Sequence, residues 1–250
     1  MTILITGANG QLGNEMRILS AAHPKHTYLF SDVIVPEASP VAIHPLDITD
    51  EAAVCGFVGE HCVDVIVNCA AYTNVDKAEQ DEPTALRINA DAVANLARSG
   101  ARIIHISTDY VFSGDEHLPC REDDPVAPRT AYGRTKLAGE QALLAEQPDA
   151  IIFRTAWLYS EFGNNFVKTM MRLGREREQL NGVFDQIGTP TYAADLAGAI
   201  MSIVEHGVVP GVYHYTNEGV CSWYDFTKSI HRIAGITGCT VLPIHTSEYP

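Results

Sequence analysis

The feature that most constrains this chain is the segment Gly7-Ala8-Asn9-Gly10-Gln11-Leu12-Gly13, set between a β-rich run, Thr2–Thr6, and a helical stretch, Gln11–Ala22. A glycine trio alone is a weak signal, and its minor alternative is a simple Gly-rich turn. Between a strand and a helix it has a sharper reading. The first glycine permits the turn, the second lets backbone approach a pyrophosphate, and the third lets helix and strand pack closely. The anion then sits at the helix N-terminus, where free N–H groups and the helix dipole favour it.

The rest of the chain fits that start. Strand-like runs at Thr27–Ser31, Val63–Asn68, Arg102–Ser107 and Ala150–Arg154 alternate with helical stretches at Glu51–Cys62, Thr84–Ser99 and Ala131–Glu146. Continuous apolar strands separated by helices predict a Rossmann-like, doubly wound parallel α/β sheet covered on both faces. Val35–Pro45 and Pro119–Arg129 read as proline-bearing loops. Beyond Arg154 the pattern loosens into helices at Asn164–Arg177, Tyr192–His206 and Ser222–Ala234, with strands at Gly211–Thr216 and Thr240–Ile244. The expected division is a main domain over 1–155, to which 184–206 returns, and a smaller interleaved C-terminal substrate-binding lobe over 156–183 and 207–250.

Composition excludes several function classes. A net charge of −14 repels nucleic acid, and no basic patch offsets it. The densest basic stretch, Arg172, Arg175 and Arg177, is interleaved with glutamates and reads first as a solvated helix face, second as a phosphate clamp. No apolar run approaches the roughly 20 residues of a membrane span. The N-terminus opens directly into a strand, with no basic leader. Cys55, Cys62, Cys69, Cys120, Cys221 and Cys239 contain no Cys-x-x-Cys pair and are expected to be free buried thiols. No metal site is expected. A cytoplasmic protein fits these features, and a homodimer is left open.

Two further signals carry chemistry. Tyr132-Gly133-Arg134-Thr135-Lys136 is Tyr-x-x-x-Lys early in a predicted helix, so both heads share one face. A nearby ammonium lowers a tyrosine's pKa. The phenol then gives its proton to a carbonyl oxygen as hydride reaches the carbon. Ser107-Thr108-Asp109-Tyr110-Val111-Phe112 closes the preceding strand, which places the Thr108 hydroxyl on the ligand side of the sheet, beside Tyr132. Asp32, after the second strand, is positioned to accept from adenosine ribose hydroxyls or merely to cap a turn; the first reading leans towards NADH over NADPH. Asp47 and Ile48 fall where the third strand should end, near an adenine.

In combination these motifs resemble the extended short-chain dehydrogenase/reductases and, more narrowly, the dTDP-4-dehydrorhamnose reductases. The likeness runs on through Val65–Glu79, Phe153–Tyr159, Asn164-Asn165-Phe166, Asp185–Thr191 and Ser222–Phe226. The resemblance implies a catalytic trio of Thr108, Tyr132 and Lys136, with Tyr132 and Lys136 also touching the cofactor, NADPH or NADH. It implies a pyrophosphate site at Gly7, Gly10, Gln11, Leu12 and Gly13. Ala70, Ala71 and Tyr72 would line ribose and nicotinamide, supported by Asn89, with Thr155 and Ala156 beside the nicotinamide amide. Tyr110, Trp157, Asn165 and Gln186 would approach the dTDP-linked deoxyhexulose, Trp157 on the sugar ring. Trp157 also reads as core and Asn165 as a helix cap.

Related 4,6-dehydratases carry Thr-Asp-Glu where this chain has Thr108-Asp109-Tyr110, and losing that carboxylate favours reduction over dehydration. An epimerase, and a non-catalytic regulatory subunit resembling the methionine adenosyltransferase beta subunit, are the alternatives; the intact trio argues against the second. Such proteins usually continue past Glu248-Tyr249-Pro250 into a nucleotide-sugar-binding segment, so the lobe is expected to be C-terminally incomplete.

Overall fold

A computed structural model describes residues 1–115 and 118–249; Pro250, the last position of the expected lobe, lies outside them. Strands and helices alternate as β1 (Thr2–Thr6), α1 (Gln11–Ser20), β2 (Thr27–Asp32), β3 (His44–Pro45), α2 (Glu51–His61) and β4 (Val65–Asn68). There follow α3 (Val75–Gln80), α4 (Glu82–Leu86), α5 (Ala92–Arg98), β5 (Arg102–Thr108), α6 (Ala131–Glu146) and β6 (Ile151–Thr155). The remainder is β7 (Leu158–Tyr159), α7 (Phe166–Glu176), β8 (Gln179–Val183), β9 (Ile187–Gly188), β10 (Thr191–Tyr192) and α8 (Ala193–His206). Last come β11 (Gly211–His214), β12 (Cys221–Ser222), α9 (Trp223–Ile233) and β13 (Thr240–Ile244).

Seven strands form a parallel sheet in the order β11-β6-β5-β4-β1-β2-β3. The pleat sorts β1 residue by residue. Ile3 and Ile5 pack on Met16 of α1 and on Leu196 and Ile200 of α8. Leu4 faces the opposite layer, with Val54 of α2, Leu96 of α5 and Leu143 of α6. Burial on both faces explains why these strands read as unbroken apolar runs. The chain turns one way from β1 to β2 and the other way to β4, which opens a crevice at the carboxyl ends of the strands.

The structure departs from expectation in four places. The strand Gly211–His214, assigned to the lobe with 207–250, instead pairs with β6 and closes the main sheet's edge. The single helix expected over Thr84–Ser99 is broken by a π-helical turn at Arg87–Asp91. Asn89 lies in that turn, and its side chain points inward to bridge Tyr72 and Thr135 of α6. The supposed loop Val35–Pro45 ends in β3, which pairs with β2 through Ser31 and Asp32. None of the six cysteines forms a disulfide, but the expected burial is not met: Cys62, which ends α2 in the left-handed conformation, is exposed and the other five are half-buried.

The lobe is built on β8 and β13, paired in parallel, with α7 and α9 packed alongside. Ser222 caps α9 in a reciprocal box with Asp225. Arg172 pairs with Glu176 on the exposed side of α7, so that basic stretch is a solvated helix face.

A buried ion pair ties α6 to the sheet. Arg154 of β6 grips both oxygens of Glu140, at 2.7–3.3 Å, and Ser107 of β5 donates to the same carboxylate. Both charged side chains are almost fully enclosed. Arg154→Met is expected to cost about 3–5 kcal/mol of unfolding free energy, because it strands the Glu140 carboxylate. The double change Arg154→Met/Glu140→Leu recovers most of it. Urea denaturation of the two variants measures both values.

Candidate active site

The crevice holds a cavity of about 990 Å³ that runs from the glycine turn to the C-terminal lobe. One end is formed by Gly7, Gly10, Gln11 and Leu12. Gly7 adopts φ +63°, and a Cβ there would lie 2.6 Å from the Ala70 nitrogen. Gly10 precedes α1 without any side-chain cap, so the first N–H groups of the helix stay open to an anion. Gly13 does not line the cavity. A Cβ there would collide with the Gly7 carbonyl, so Gly13 serves helix–strand packing.

Asp32, Asp47 and Ile48 line the same end, and Ala70 and Ala71 the middle. Tyr72, expected among them, is absent from the wall. Its backbone N–H donates to Asn89 Oδ1 at 2.8 Å, its carbonyl accepts from Asn89 Nδ2 at 3.1 Å, and its ring packs with Ala78, Ala85 and Ala131. Asn89 also donates to Thr135 Oγ1 at 3.1 Å. It is buried behind the site, where it locks the segment after β4 to α6.

Thr108, Tyr132 and Lys136 meet deeper in the cavity. Thr108 ends β5; Tyr132 and Lys136 lie one turn apart on α6, whose N-terminus is capped by Thr130 accepting from the Gly133 N–H. Thr108 Oγ1 lies 3.0 Å from Asp109 Oδ1 and also within hydrogen-bond reach of Tyr132; its single proton serves one acceptor at a time, and turned to Tyr132 it favours the phenolate. Burial outweighs that bond and holds the Tyr132 phenol well above its usual range. The expected lowering by Lys136 is therefore not what governs this tyrosine. The ammonium is engaged elsewhere: Lys136 Nζ donates to the Ile106 carbonyl at 2.6 Å and lies 3.2 Å from His105 Nε2. Burial lowers its own pKa to about 8.

Sequence reasoning missed the polar chain behind Lys136. Thr6 Oγ1 donates to Asn68 Oδ1 at 2.7 Å, and Asn68 Nδ2 meets His105 Nδ1 at 3.0 Å. His105 is fully enclosed, and burial drives its pKa well below the ordinary value. A histidine inside the apolar run Arg102–Ser107 was the available signal. Asp109 was also passed over. It lines the cavity, and burial raises its carboxyl to about 6, although its bond from Thr108 pulls the other way.

The far end is aromatic. Trp157 stacks on Trp223 of α9 with centroids 3.4 Å apart, and Phe166 of α7 leans on Trp223 at 4.5 Å. One face of the Trp157 indole is thus taken by Trp223 rather than free for a sugar. Trp157 sits at φ +47°, an unusual conformation for a large residue, held by the stack and by the Thr191 N–H donating to its carbonyl. Tyr110 lies edge-on to Tyr132 at 5.5 Å. Asn165 lines the cavity while its Oδ1 caps α7 by accepting from the Lys168 N–H. Gln186 does not reach the cavity. Exposed at the surface, it accepts from Trp223 Nε1 at 3.2 Å and donates to Thr246 Oγ1. Thr155 and Ala156 line the cavity, and the Thr155 hydroxyl is buried without a hydrogen-bond partner.

The open helix terminus, the glycine cradle and the orphaned Thr155 hydroxyl fit a dinucleotide. Among the described residues no His/Cys/Asp/Glu cluster is arranged to hold a metal, and no helix is long and apolar enough to cross a membrane.

Comparison with known proteins gives a consistent result. The family model described as the RmlD substrate binding domain matches residues 1–250. A dTDP-4-dehydrorhamnose reductase of Mycolicibacterium smegmatis is 44% identical over 99% of this chain and 74% of its own length. The crystal structure of a dTDP-4-dehydrorhamnose reductase from Clostridium acetobutylicum superimposes with a TM-score of 0.91 at 44% identity, covering 100% of this chain and 86% of that one. A Bacillus anthracis dTDP-4-dehydrorhamnose reductase, solved in complex with NADP, gives 0.90 at 41% identity, with coverage of 99% and 86%.

Asp109 yields a pH test. Between the ordinary carboxyl pKa near 4 and about 6, the folded protein binds more protons at this site than the unfolded chain. Its contribution to stability is therefore fully present below about pH 4 and is lost as pH rises through 6. Relative to Asp109→Asn, the wild type is expected to lose roughly 1–3 kcal/mol across that window. Urea unfolding of both proteins from pH 4 to 7 measures the difference.

Proposed function

The chain belongs to the RmlD substrate binding domain family, and from that premise we propose that it reduces dTDP-4-dehydrorhamnose to dTDP-L-rhamnose with NADPH or NADH. The observation that carries this reading is the meeting of Thr108, Tyr132 and Lys136 in the same cavity as the open N-terminus of α1.

Gly7, Gly10, Gln11 and Leu12 would hold the pyrophosphate, Ala70, Ala71 and Lys136 the nicotinamide ribose, and Thr155 the nicotinamide amide. A reduced nicotinamide held there would supply the hydride for C4 of the sugar. Thr108 orients the C4 carbonyl, its hydroxyl already beside the Tyr132 phenol. Tyr132 delivers the proton to the oxygen as negative charge develops on it. A phenol held protonated by burial is well stocked for that step. Its phenolate is stabilised by the Thr108 hydroxyl and by the Lys136 ammonium once this turns from the Ile106 carbonyl. Tyr110, in the place where dehydratases carry glutamate, offers no carboxylate for elimination.

The main domain takes in 1–155, 184–206 and β11, and the lobe the remainder. Six cysteines outside any disulfide suit a reducing compartment, which supports a cytoplasmic location.

The test is loss of absorbance at 340 nm with the 4-keto-6-deoxy-L-sugar nucleotide made in situ. Tyr132→Phe is expected to lower kcat by about 10²–10⁴, with cofactor affinity kept within a few-fold. Near-normal turnover by that variant would overturn the assignment.

A further inference from the structure

The line of buried polar groups from β1 to Lys136 has a direction. Asn68 Oδ1 accepts from the Ala70 backbone N–H at 3.2 Å and from Thr6 Oγ1 at 2.7 Å. A backbone N–H cannot be reversed, so the amide oxygen of Asn68 faces it and the amide nitrogen faces away. Asn68 Nδ2 therefore donates to His105 Nδ1, 3.0 Å off. That bond occupies the Nδ1 lone pair and leaves the proton of a neutral imidazole on Nε2. His105 Nε2 lies 3.2 Å from Lys136 Nζ, which itself donates to the Ile106 carbonyl at 2.6 Å.

Each step of the line from Asn68 onward thus presents a donor to the next, and Lys136 stands at its end. An ammonium has three donors and no lone pair, so against an imidazole N–H it carries one proton too many. An amine accepts from Nε2–H and still donates to Ile106. An imidazolium gives no escape: its second N–H would face Asn68 Nδ2, and burial keeps His105 neutral. Thr6, Asn68, His105 and Lys136 are each at most 1% exposed, so solvent does not relieve the mismatch.

The charges around Lys136 are committed elsewhere. Glu140, one turn on in α6, favours the ammonium but is bound by Arg154 of β6 and Ser107 of β5. Glu79 of α3 and Glu82 of α4 are held by the Ala131 N–H and by Arg134. In the cavity, burial keeps Tyr110 and Tyr132 as neutral phenols and pushes the Cys69 thiol up to about 12. Asp109, just past β5, meets Thr108, and Arg87 of the π-helical turn is exposed.

We infer that Asn68 and His105 are positioning residues that hold Lys136 as the uncharged amine until a dinucleotide binds. When Lys136 then turns to the nicotinamide ribose, whose hydroxyls accept, Nζ takes one proton from solvent and becomes the ammonium that steadies the Tyr132 phenolate. The ammonium arrives with the cofactor, so the acid is fully equipped only in a loaded site. The uptake step rests on the proposed binding of a nicotinamide dinucleotide; the state of Lys136 beforehand does not.

Both halves are measured on the whole protein. In the cofactor-free chain, long-range proton–nitrogen spectra of isotope-labelled histidine identify His105 by its loss in His105→Gln. They are expected to show Nε2 protonated and Nδ1 bare. Labelled-lysine spectra are expected to show Lys136 titrating at or below about 8, against about 10.4 for an ordinary lysine. A bare Nε2, or a Lys136 still charged at pH 9, overturns the inference. Calorimetric titration with NADH at pH 9, in two buffers of different ionisation enthalpy, is expected to show uptake of about 0.9 proton, the gain between those midpoints. Asn68→Asp reverses the line by accepting from Nδ1–H, and His105→Gln offers an amide oxygen to the ammonium. Each is expected to raise the Lys136 midpoint by about one pH unit and to halve the uptake. Variants that lose thermal stability yet keep the wild-type midpoint and uptake mark a purely structural line and overturn the inference. A wild type that binds NADH without taking up a proton overturns the charging step. One that binds no dinucleotide overturns the reductase reading with it, while the spectra of the cofactor-free protein still decide the amine.

Discussion

Backbone-to-backbone contact at the glycine turn is the constraint on which the crevice depends. Gly7 lies against the exit of β4, where a side chain would meet the Ala70 nitrogen, and Gly13 lies against the Gly7 carbonyl. Three segments, the end of β1, the start of α1 and the end of β4, therefore share a volume with no room for a methyl group. Only in that arrangement does the uncapped N-terminus of α1 face the same space as Thr108 and Tyr132. The close packing is entirely local, but it positions groups drawn from both halves of the main sheet.

The electrostatics of the site follow from burial more than from pairing. Lys136 is among the most deeply enclosed large side chains in the molecule. Its cost of desolvation is offset by a backbone carbonyl and by the polar chain through His105, Asn68 and Thr6. The same dryness raises the Tyr132 phenol and lowers the Lys136 ammonium, so burial acts on the acid and on the cation in opposite directions. Enclosed polar groups of this kind are worth more to a developing charge than the same groups in water. Glu140 and Arg154, one turn further along α6 and across on β6, anchor the helix that carries both residues.

Much of this was legible in the sequence because it lies in short segments with strong local rules. The glycine turn, the continuous apolar strands and Tyr-x-x-x-Lys each announce their geometry within a few residues. The features that escaped it depend on contacts between distant segments. Nothing near Gly211 says that its strand pairs with β6 and not with the lobe. Gln186 reads as a substrate contact, and only the fold shows its amide oxygen already accepting from Trp223, 37 residues away. Trp157 reads as a sugar platform until the same tryptophan covers one face. The role of His105 requires knowing what lies behind Lys136.

The π-helical turn at Arg87–Asp91 has a meaning beyond the placement of Asn89. Each residue of an α-helix advances the chain by about 100° around the axis, so an added residue inside a helix changes the phase between the segments on its two sides. Before the turn, Ala85 faces the small cluster with Ala78 and Ala131. After it, Val93 and Leu96 face the sheet. An uninterrupted helix would hold these two faces in a fixed angular relation, and the wide turn resets it. The swollen backbone is accommodated at Gly139 of α6, where any side chain would strike the Asn89 carbonyl. The inserted residue and the missing side chain are two halves of one fit, so a gap or insertion in either helix is an event the other must answer.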